Sequence, residues 1–171
     1  MDIAPFIRDI PDFPKKGIIF KDITPLLAEP KAFEEVINQF CDFAKQINAQ
    51  VISGIESRGF IFGAAVAYKL GLKFVPIRKK GKLPYQVVSE SYDLEYGSST
   101  IEMHTDAIKK DEQVLLVDDL LATGGTMKAA CNLIEKQGGK VAGIAFVIDL
   151  AFLKGAEKLK PHKIFSLLKY D

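Results

Sequence analysis

Apolar positions repeat along most of this chain at helical or strand spacing, and the two rhythms alternate. After Pro30, whose fixed φ suits a first helical turn, Phe33, Val36, Ile37, Phe40, Phe43, Ala44 and Ile47 recur at helical spacing, so a helix is expected there with this face on a sheet. Val51, Ile52 and Ile55 then predict a short buried strand broken by Gly54. Residues 60–70 are apolar on nearly every side and stop at Gly71, which predicts a helix covered on two sides. Residues 73–78 alternate toward a third strand, and the apolar run from Val114 to Val117 predicts a fully buried one. Met127, Ala130, Cys131 and Ile134 mark one face of a helix over residues 126–137, stopped by Gly138 and Gly139. Residues 141–148 read as an interior parallel strand, 151–159 as a short helix ended before Pro161, and 164–168 as a closing strand. Strands alternating with helices predict an α/β fold: one domain, residues 1–171, with a largely parallel sheet flanked by helices.

Two stretches depart from these rhythms. Pro5, Pro11, Pro14 and Pro25 with Gly17 forbid long elements in residues 1–29, yet Ile10, Phe13, Ile18, Ile19 and Phe20 give the segment side chains to bury. An ordered arm or hood is expected, either functional or a purely structural cap. Residues 83–102 hold Tyr85, Val87, Val88, Tyr92 and Tyr96 with a Gly97-Ser98-Ser99 turn, which predicts a flexible hairpin or lid.

Composition narrows the function classes. With 23 basic and 22 acidic side chains the net charge is +1, so no electrostatic case exists for nonspecific nucleic-acid or membrane binding. Cys41 and Cys131 are too isolated for a disulfide framework or zinc site and fit buried thiols of a reduced, cytoplasmic protein. His104 has no Cys or Asp partner at ligand spacing and is expected at the surface. No signal peptide, transmembrane run or lipidation motif is recognised.

The chemistry concentrates in VLLVDDLLATGGTM, residues 114–127. A buried strand with Asp118 and Asp119 at its end runs through a loop of small residues into a helix. Unpaired backbone N–H groups from Ala122 to Thr126, with the Thr123 and Thr126 hydroxyls, can cradle a phosphate that Gly124 and Gly125 let approach closely. Neither G-x-x-x-x-G-K-[ST] nor G-x-G-x-x-G is present, which leaves a monophosphate-sized cradle. Carboxylates accept hydrogen bonds from a diol, so Asp118 and Asp119 point to a ribose 5-phosphate. The alternatives are a receiver-type acidic pocket or a simple capped helix. Glu56-Ser57-Arg58-Gly59 forms a second strand-to-helix loop, where Arg58 is an anion ligand or a helix-surface residue. RKKGK, residues 78–82, is a phosphate-facing cluster or a solvated turn.

The 114–127 run resembles the phosphoribosyl-diphosphate signature of type I phosphoribosyltransferases, and its DDLLATGGTM wording is most similar to their adenine-specific branch. The resemblance covers about residues 9–170. It implies the type I fold with an N-terminal hood and a flexible catalytic loop, and a reaction of adenine with 5-phosphoribosyl 1-diphosphate to give AMP and pyrophosphate. Mg²⁺ is implied as a cofactor held mainly through the diphosphate, with no metal site made by protein alone. Ser57, Arg58, Arg78, Lys79 and Lys82 would meet the diphosphate. DIPDFPKKGIIFKDITPLL resembles the hood, so Ile19 and Phe20, with the Arg58 backbone, would meet the base. SYDLEYGSS resembles the catalytic loop, which makes Glu95 the catalytic candidate. A homodimer is implied as well. Two other readings stand beside this one: the same fold acting on hypoxanthine, guanine, xanthine or orotate, and a noncatalytic phosphoribosyl-binding regulator, which would carry a DNA-binding module or basic face.

Overall fold

The computed structural model describes residues 1–93 and 97–171, and the chain forms two compact units, residues 1–39 and 40–171. In the first unit a 3₁₀ turn, Ala4–Phe6, precedes an antiparallel pair of strands, β1 (Arg8–Pro11) and β2 (Ile19–Asp22). A five-residue helix α1 (Thr24–Ala28) follows, and helix α2 (Pro30–Gln46) begins at Pro30 as its φ favours. The expectation that Phe13, Ile18 and Ile19 are buried fails: they are 51%, 37% and 56% exposed. With only four residues per strand, the ribbon has one face to cover and too little chain to cover both.

The second unit is built on a seven-stranded sheet in the order β5-β6-β4-β3-β7-β8-β9. Its strands are β3 (Val51–Ile55), β4 (Lys73–Lys79), β5 (Val87–Asp93), β6 (Ser98–His104), β7 (Gln113–Leu121), β8 (Lys140–Leu150) and β9 (Ile164–Tyr170). The five strands β4, β3, β7, β8 and β9 run parallel, while β5 and β6 form an antiparallel hairpin on one edge. Every residue of β3 is buried.

Gly54 does not break β3. A methyl group there would sit 2.8 Å from the Gly59 carbonyl oxygen, so the absent side chain is what lets helix α3 (Arg58–Leu70) lie against the strand. Gly63, one turn on, meets the Phe74 ring in the same way. Phe62, Val66 and Ala67 of α3 are buried, whereas Ile61, Ala64 and Tyr68 are exposed, so the helix has one covered face and one open apolar one. Helix α4 (Gly125–Lys136) buries Met127, Ala130, Cys131 and Ile134, the four residues its periodicity selects.

The 151–159 helix divides into a 3₁₀ turn, Ala151–Leu153, and α5 (Gly155–Lys158), because Lys154 takes a left-handed φ of 55°. β7 is longer than its apolar run and carries both aspartates within it, since Leu120 and Leu121 still pair with Ile148 and Asp149 of β8. His104 is half-buried rather than at the surface, its ring edge-on to Tyr85 at 5.8 Å and its Nε2 enclosed without a partner.

Candidate active site

Neighbouring parallel strands end on the same side of a sheet, so the loops after β3, β4 and β7, adjacent in the order β4-β3-β7, converge at one carboxyl edge. A cavity of about 540 Å³ opens there, lined by Ile55, Glu56, Ser57, Arg58, Lys79, Lys82, Tyr92, Asp118, Asp119 and Thr126. A smaller one of about 100 Å³ is walled by Asp118, by residues 120–126, and by Met127 and Phe146. Asp118 and Thr126 line both.

The small cavity is the start of α4. Gly124 caps the helix at φ 80° with no side-chain hydrogen bond, and the first intrahelical bond runs from Lys128 N–H to Gly124 O at 2.9 Å. The N–H groups ahead of Lys128 therefore point off the helix end, where the dipole also favours an anion. The two glycines have different reasons to be there. A Cβ on Gly124 would add steric conflict to an unfavourable φ, whereas one on Gly125 would find nothing nearer than the Tyr92 ring at 3.5 Å.

Beside the cradle, Gly59 brings the start of α3 onto β7, since a methyl there would stand 2.7 Å from Val117 O and 3.0 Å from Asp118 Oδ1. This close approach sets Arg58 Nε 3.0 Å from Asp119 Oδ2. The pair is a charge contact rather than an aligned hydrogen bond, so Oδ2 accepts none and keeps acceptor capacity. Asp118 Oδ1 accepts the Asp119 backbone N–H at 2.9 Å.

Burial, first, and then the Asp119 charge raise the Asp118 pKa well above the carboxylate range, with Arg58 opposing. Asp118 keeps some surface toward the cavities, but it lies deep among protein atoms, and that depth sets its solvation. Asp119 is raised too, again by burial, and Arg58 offsets this most. Asp119 is the better-supported charge of the pair, and Asp118 the better-supported acid.

Arg78 is placed differently from the other basic candidates. Its Nη2 and Nε reach the Glu56 carboxylate at 3.0 and 3.3 Å, and the Lys79 N–H donates to the same group at 3.0 Å. The Arg78 hydrogen bond is the largest influence holding the Glu56 carboxyl below its usual range. Lys79 and Lys82 face the large cavity, with Arg78 joined to Glu56 beside them. Ser57 precedes α3 at its uncapped N-terminus. Ile19 and Phe20 lie on β2 of the first unit, where Phe20 packs edge-on to Phe13 at 5.2 Å. Glu95 lies outside the described residues.

Two residues of this site fall within the motif stretches but take roles that only the folded chain brings out. Glu56 precedes the Ser57-Arg58 pair and organises Arg78 and Lys79 from across the loop. Tyr92 lines the large cavity because Val88, Glu90 and Tyr92 alternate inward along β5, a period-2 pattern that was available to find it. Glu90 in turn accepts from Asn132 at 2.8 Å and from Lys136, tying the hairpin to α4. Among the described residues no group of three or more His, Cys, Asp or Glu side chains is gathered to hold a metal ion.

Residues 26–169 match the phosphoribosyl transferase domain family. The chain is 54% identical over 169 residues to adenine phosphoribosyltransferase of Maridesulfovibrio salexigens, covering 99% of both proteins. The crystal structure of adenine phosphoribosyltransferase from Thermoanaerobacter pseudethanolicus superposes with a TM-score of 0.95 at 49% identity, over 98% of each chain. That of the Giardia lamblia enzyme complexed with 9-deazaadenine has a TM-score of 0.93 at 41% identity, over 100% of this chain and 99% of that one. The family match over most of the chain and the relatives at about half identity over nearly its whole length, on a fold shared with their solved structures, place the chain in the phosphoribosyltransferase family, within its adenine phosphoribosyltransferase branch.

Proposed function

We propose that this protein transfers the 5-phosphoribosyl group of 5-phosphoribosyl 1-diphosphate to N9 of adenine, releasing pyrophosphate and forming AMP, a purine-salvage step. The observation that carries this reading is the sharing of Asp118 and Thr126 by the two cavities. A ribose spanning them has its 5-phosphate on the N–H groups of Ala122 to Thr126 and its vicinal hydroxyls on Asp118 and Asp119. Its diphosphate then faces Ser57, Arg58, Lys79 and Lys82, with Arg78 steadying that side through Glu56. The base edge is assigned to the Ile19 backbone and the Phe20 ring, together with the Arg58 backbone, on the likeness of residues 9–27 to the adenine-specific hood.

In the reaction the C1–O bond to pyrophosphate breaks, the C1–N9 bond forms, and the N9 proton passes to Glu95. The protein's own contribution is mainly position and charge: an arginine and two lysines for the departing pyrophosphate, and carboxylates for the ribose as C1 gains cationic character. Mg²⁺ fits this site as a guest of the substrate, because two carboxylates are too few to hold the ion by themselves but would suit one carried in on the diphosphate. When bound it neutralises charge on the leaving group. Asp119, with unused acceptor capacity at Oδ2, and Asp118 are the side chains that would support it, through water.

The open apolar face of α3, carrying Ile61, Ala64 and Tyr68, supports a homodimer, since a second copy would remove it from water. Cys41 and Cys131 are both free and buried, with burial pushing the Cys131 thiol up to about 12, which suits a reducing cytoplasmic setting. No helix among the described residues is long and apolar enough to cross a membrane.

Ultraviolet assays with each purine in turn, donor and Mg²⁺ test the activity. AMP and pyrophosphate in equal amounts from adenine are expected, and no product from any base would overturn the proposal.

The raised pKa of Asp118 gives a separate expectation. A carboxyl whose folded pKa exceeds its unfolded value binds a proton on folding. Its contribution is therefore most favourable at low pH and falls as pH climbs from the ordinary carboxylate range through the folded pKa. Asp118→Asn should raise the melting temperature of the ligand-free protein at neutral pH, by about 2–4 °C per kcal/mol gained, with the advantage vanishing in acid. The same change removes a carboxyl acceptor from the ribose and should weaken donor binding by about 0.5–1.5 kcal/mol. Calorimetry reads both effects; donor affinity equal to wild type would remove Asp118 from the ribose.

A further inference from the structure

The phosphate loop rests on a second glycine far along the chain. Gly155 is buried at the start of α5, thirty-one residues after Gly124, and the two backbones touch. A Cβ on Gly124 would lie 2.6 Å from the Gly155 carbonyl oxygen. In the other direction, a Cβ on Gly155 would fall inside the contact radius of the Ala122 carbonyl oxygen, 3.0 Å from Leu121 Cδ1 and 3.1 Å from the Ala122 carbonyl carbon. Gly155 does not have a left-handed φ, so it is space and not conformation that requires glycine. The segment cannot easily retreat either: Leu159 is fully buried and Ala156 packs on the core beneath α4.

From this mutual contact we infer that Gly155 is a positioning residue for the reaction, a backstop that holds the Ala122–Gly125 backbone so that its N–H groups converge on the 5-phosphate. The inference rests on the phosphate cradle proposed above. With its rear face against Gly155, the loop is organised before the ligand arrives. A methyl group at residue 155 must drive Ala122 and its neighbours toward the cavity or push α5 away, and either motion disturbs the N–H groups while leaving the large cavity's basic side chains in place.

The experiment compares AMP with adenosine, which lacks the phosphate, by isothermal titration on wild type and Gly155→Ala. In wild type AMP should bind more tightly, and the ratio of the two affinities measures the cradle. Gly155→Ala should cut that ratio roughly tenfold or more while adenosine and pyrophosphate binding stay within about twofold. A ratio unchanged in a folded Gly155→Ala protein would overturn the backstop and leave the cradle standing. Equal affinity for AMP and adenosine in wild type would instead remove the cradle, and the inference with it. Hydrogen exchange on the wild-type protein provides a readout that does not depend on the variant folding: AMP, and not adenosine, should increase amide protection in residues 154–158. Equal protection by both ligands would count against the backstop.

Discussion

Replacing Glu95 by Gln is expected to lower the single-turnover rate of AMP formation by roughly 10²- to 10⁴-fold and to leave donor affinity near that of the wild type. Adenine must lose the N9 proton as the bond to C1 forms, and in the reverse direction the departing base must gain one, most readily at N7. Gln offers a hydrogen bond of similar shape but cannot carry the proton. Glu95 itself lies outside the described residues, but the strands on either side of it are placed. Asp93 pairs with Ser98 at the end of the β5–β6 hairpin, and Tyr92 and Asp93 run beside Gly125, with the ring and the Asp93 carbonyl 3.5 and 3.8 Å from where its Cβ would be. The last residues of β5 therefore lie beside the start of α4. A carboxyl group from which bound substrate excluded water would have its pKa lifted toward neutrality, where it could both take and return a proton. Rapid-quench measurement is required because product release can conceal the chemical step. A rate for Glu95→Gln within a few-fold of wild type would leave positioning by Asp118, Asp119 and the two phosphate-binding loops as the whole of catalysis.

Hypoxanthine is expected to be used at least ~10⁴-fold less efficiently than adenine in kcat/KM. Adenine presents an N6 amino donor beside the N1 acceptor, while hypoxanthine presents a C6 carbonyl beside N1–H. A backbone carbonyl and N–H pair, the role proposed for Ile19, satisfies the first edge and opposes the second at both positions. Because backbone groups cannot be exchanged by mutation, Ile19 substitutions should change base affinity through packing and leave the preference intact. Competition between the two bases for a limiting amount of donor measures the ratio directly; comparable turnover of hypoxanthine would exclude this base-edge assignment.

The parts of the site legible in the sequence are those that are contiguous in it. Asp118, Asp119 and residues 122–126 are consecutive, so the order acid, small loop, helix start conveys their arrangement without knowledge of the sheet. The alternation of strands and helices likewise yields the parallel sheet, because each apolar face must be covered. What could not be read depends on contacts between distant segments. Gly54 looks like a strand breaker until α3 is laid on it, and its neighbours Gly59 and Gly63 then explain it. Glu56 meets Arg78 only because β3 and β4 pair in register, Ile55 opposite Ile77. Leu120 and Leu121 extend β7 past its acids because β8 is there to pair with them. The exposed Phe13, Ile18 and Ile19 show the converse limit: apolar character supplies a wish to be buried, and the short β1–β2 ribbon supplies no core to grant it.

The position of β7 next to β3 has a consequence for how binding and folding are coupled. Val51 pairs with Val114, so the pairing that brings Ser57 and Arg58 to Asp118 and Asp119 closes a long loop of chain, with β4 and the entire β5–β6 hairpin inside it. Loop closure on this scale is entropically costly, and a ribosome must deliver residues through 126 before the cradle and the basic cavity can coexist. A nascent chain that stops short of β7 has no donor site to offer. Once the chain is complete, donor bound at about a hundred times its Kd adds roughly 2.7 kcal/mol to the folded state. Bound at the proposed site, the donor would place that increment on the β3–β7 register, so the metabolite would also act as a clasp on the newly made protein.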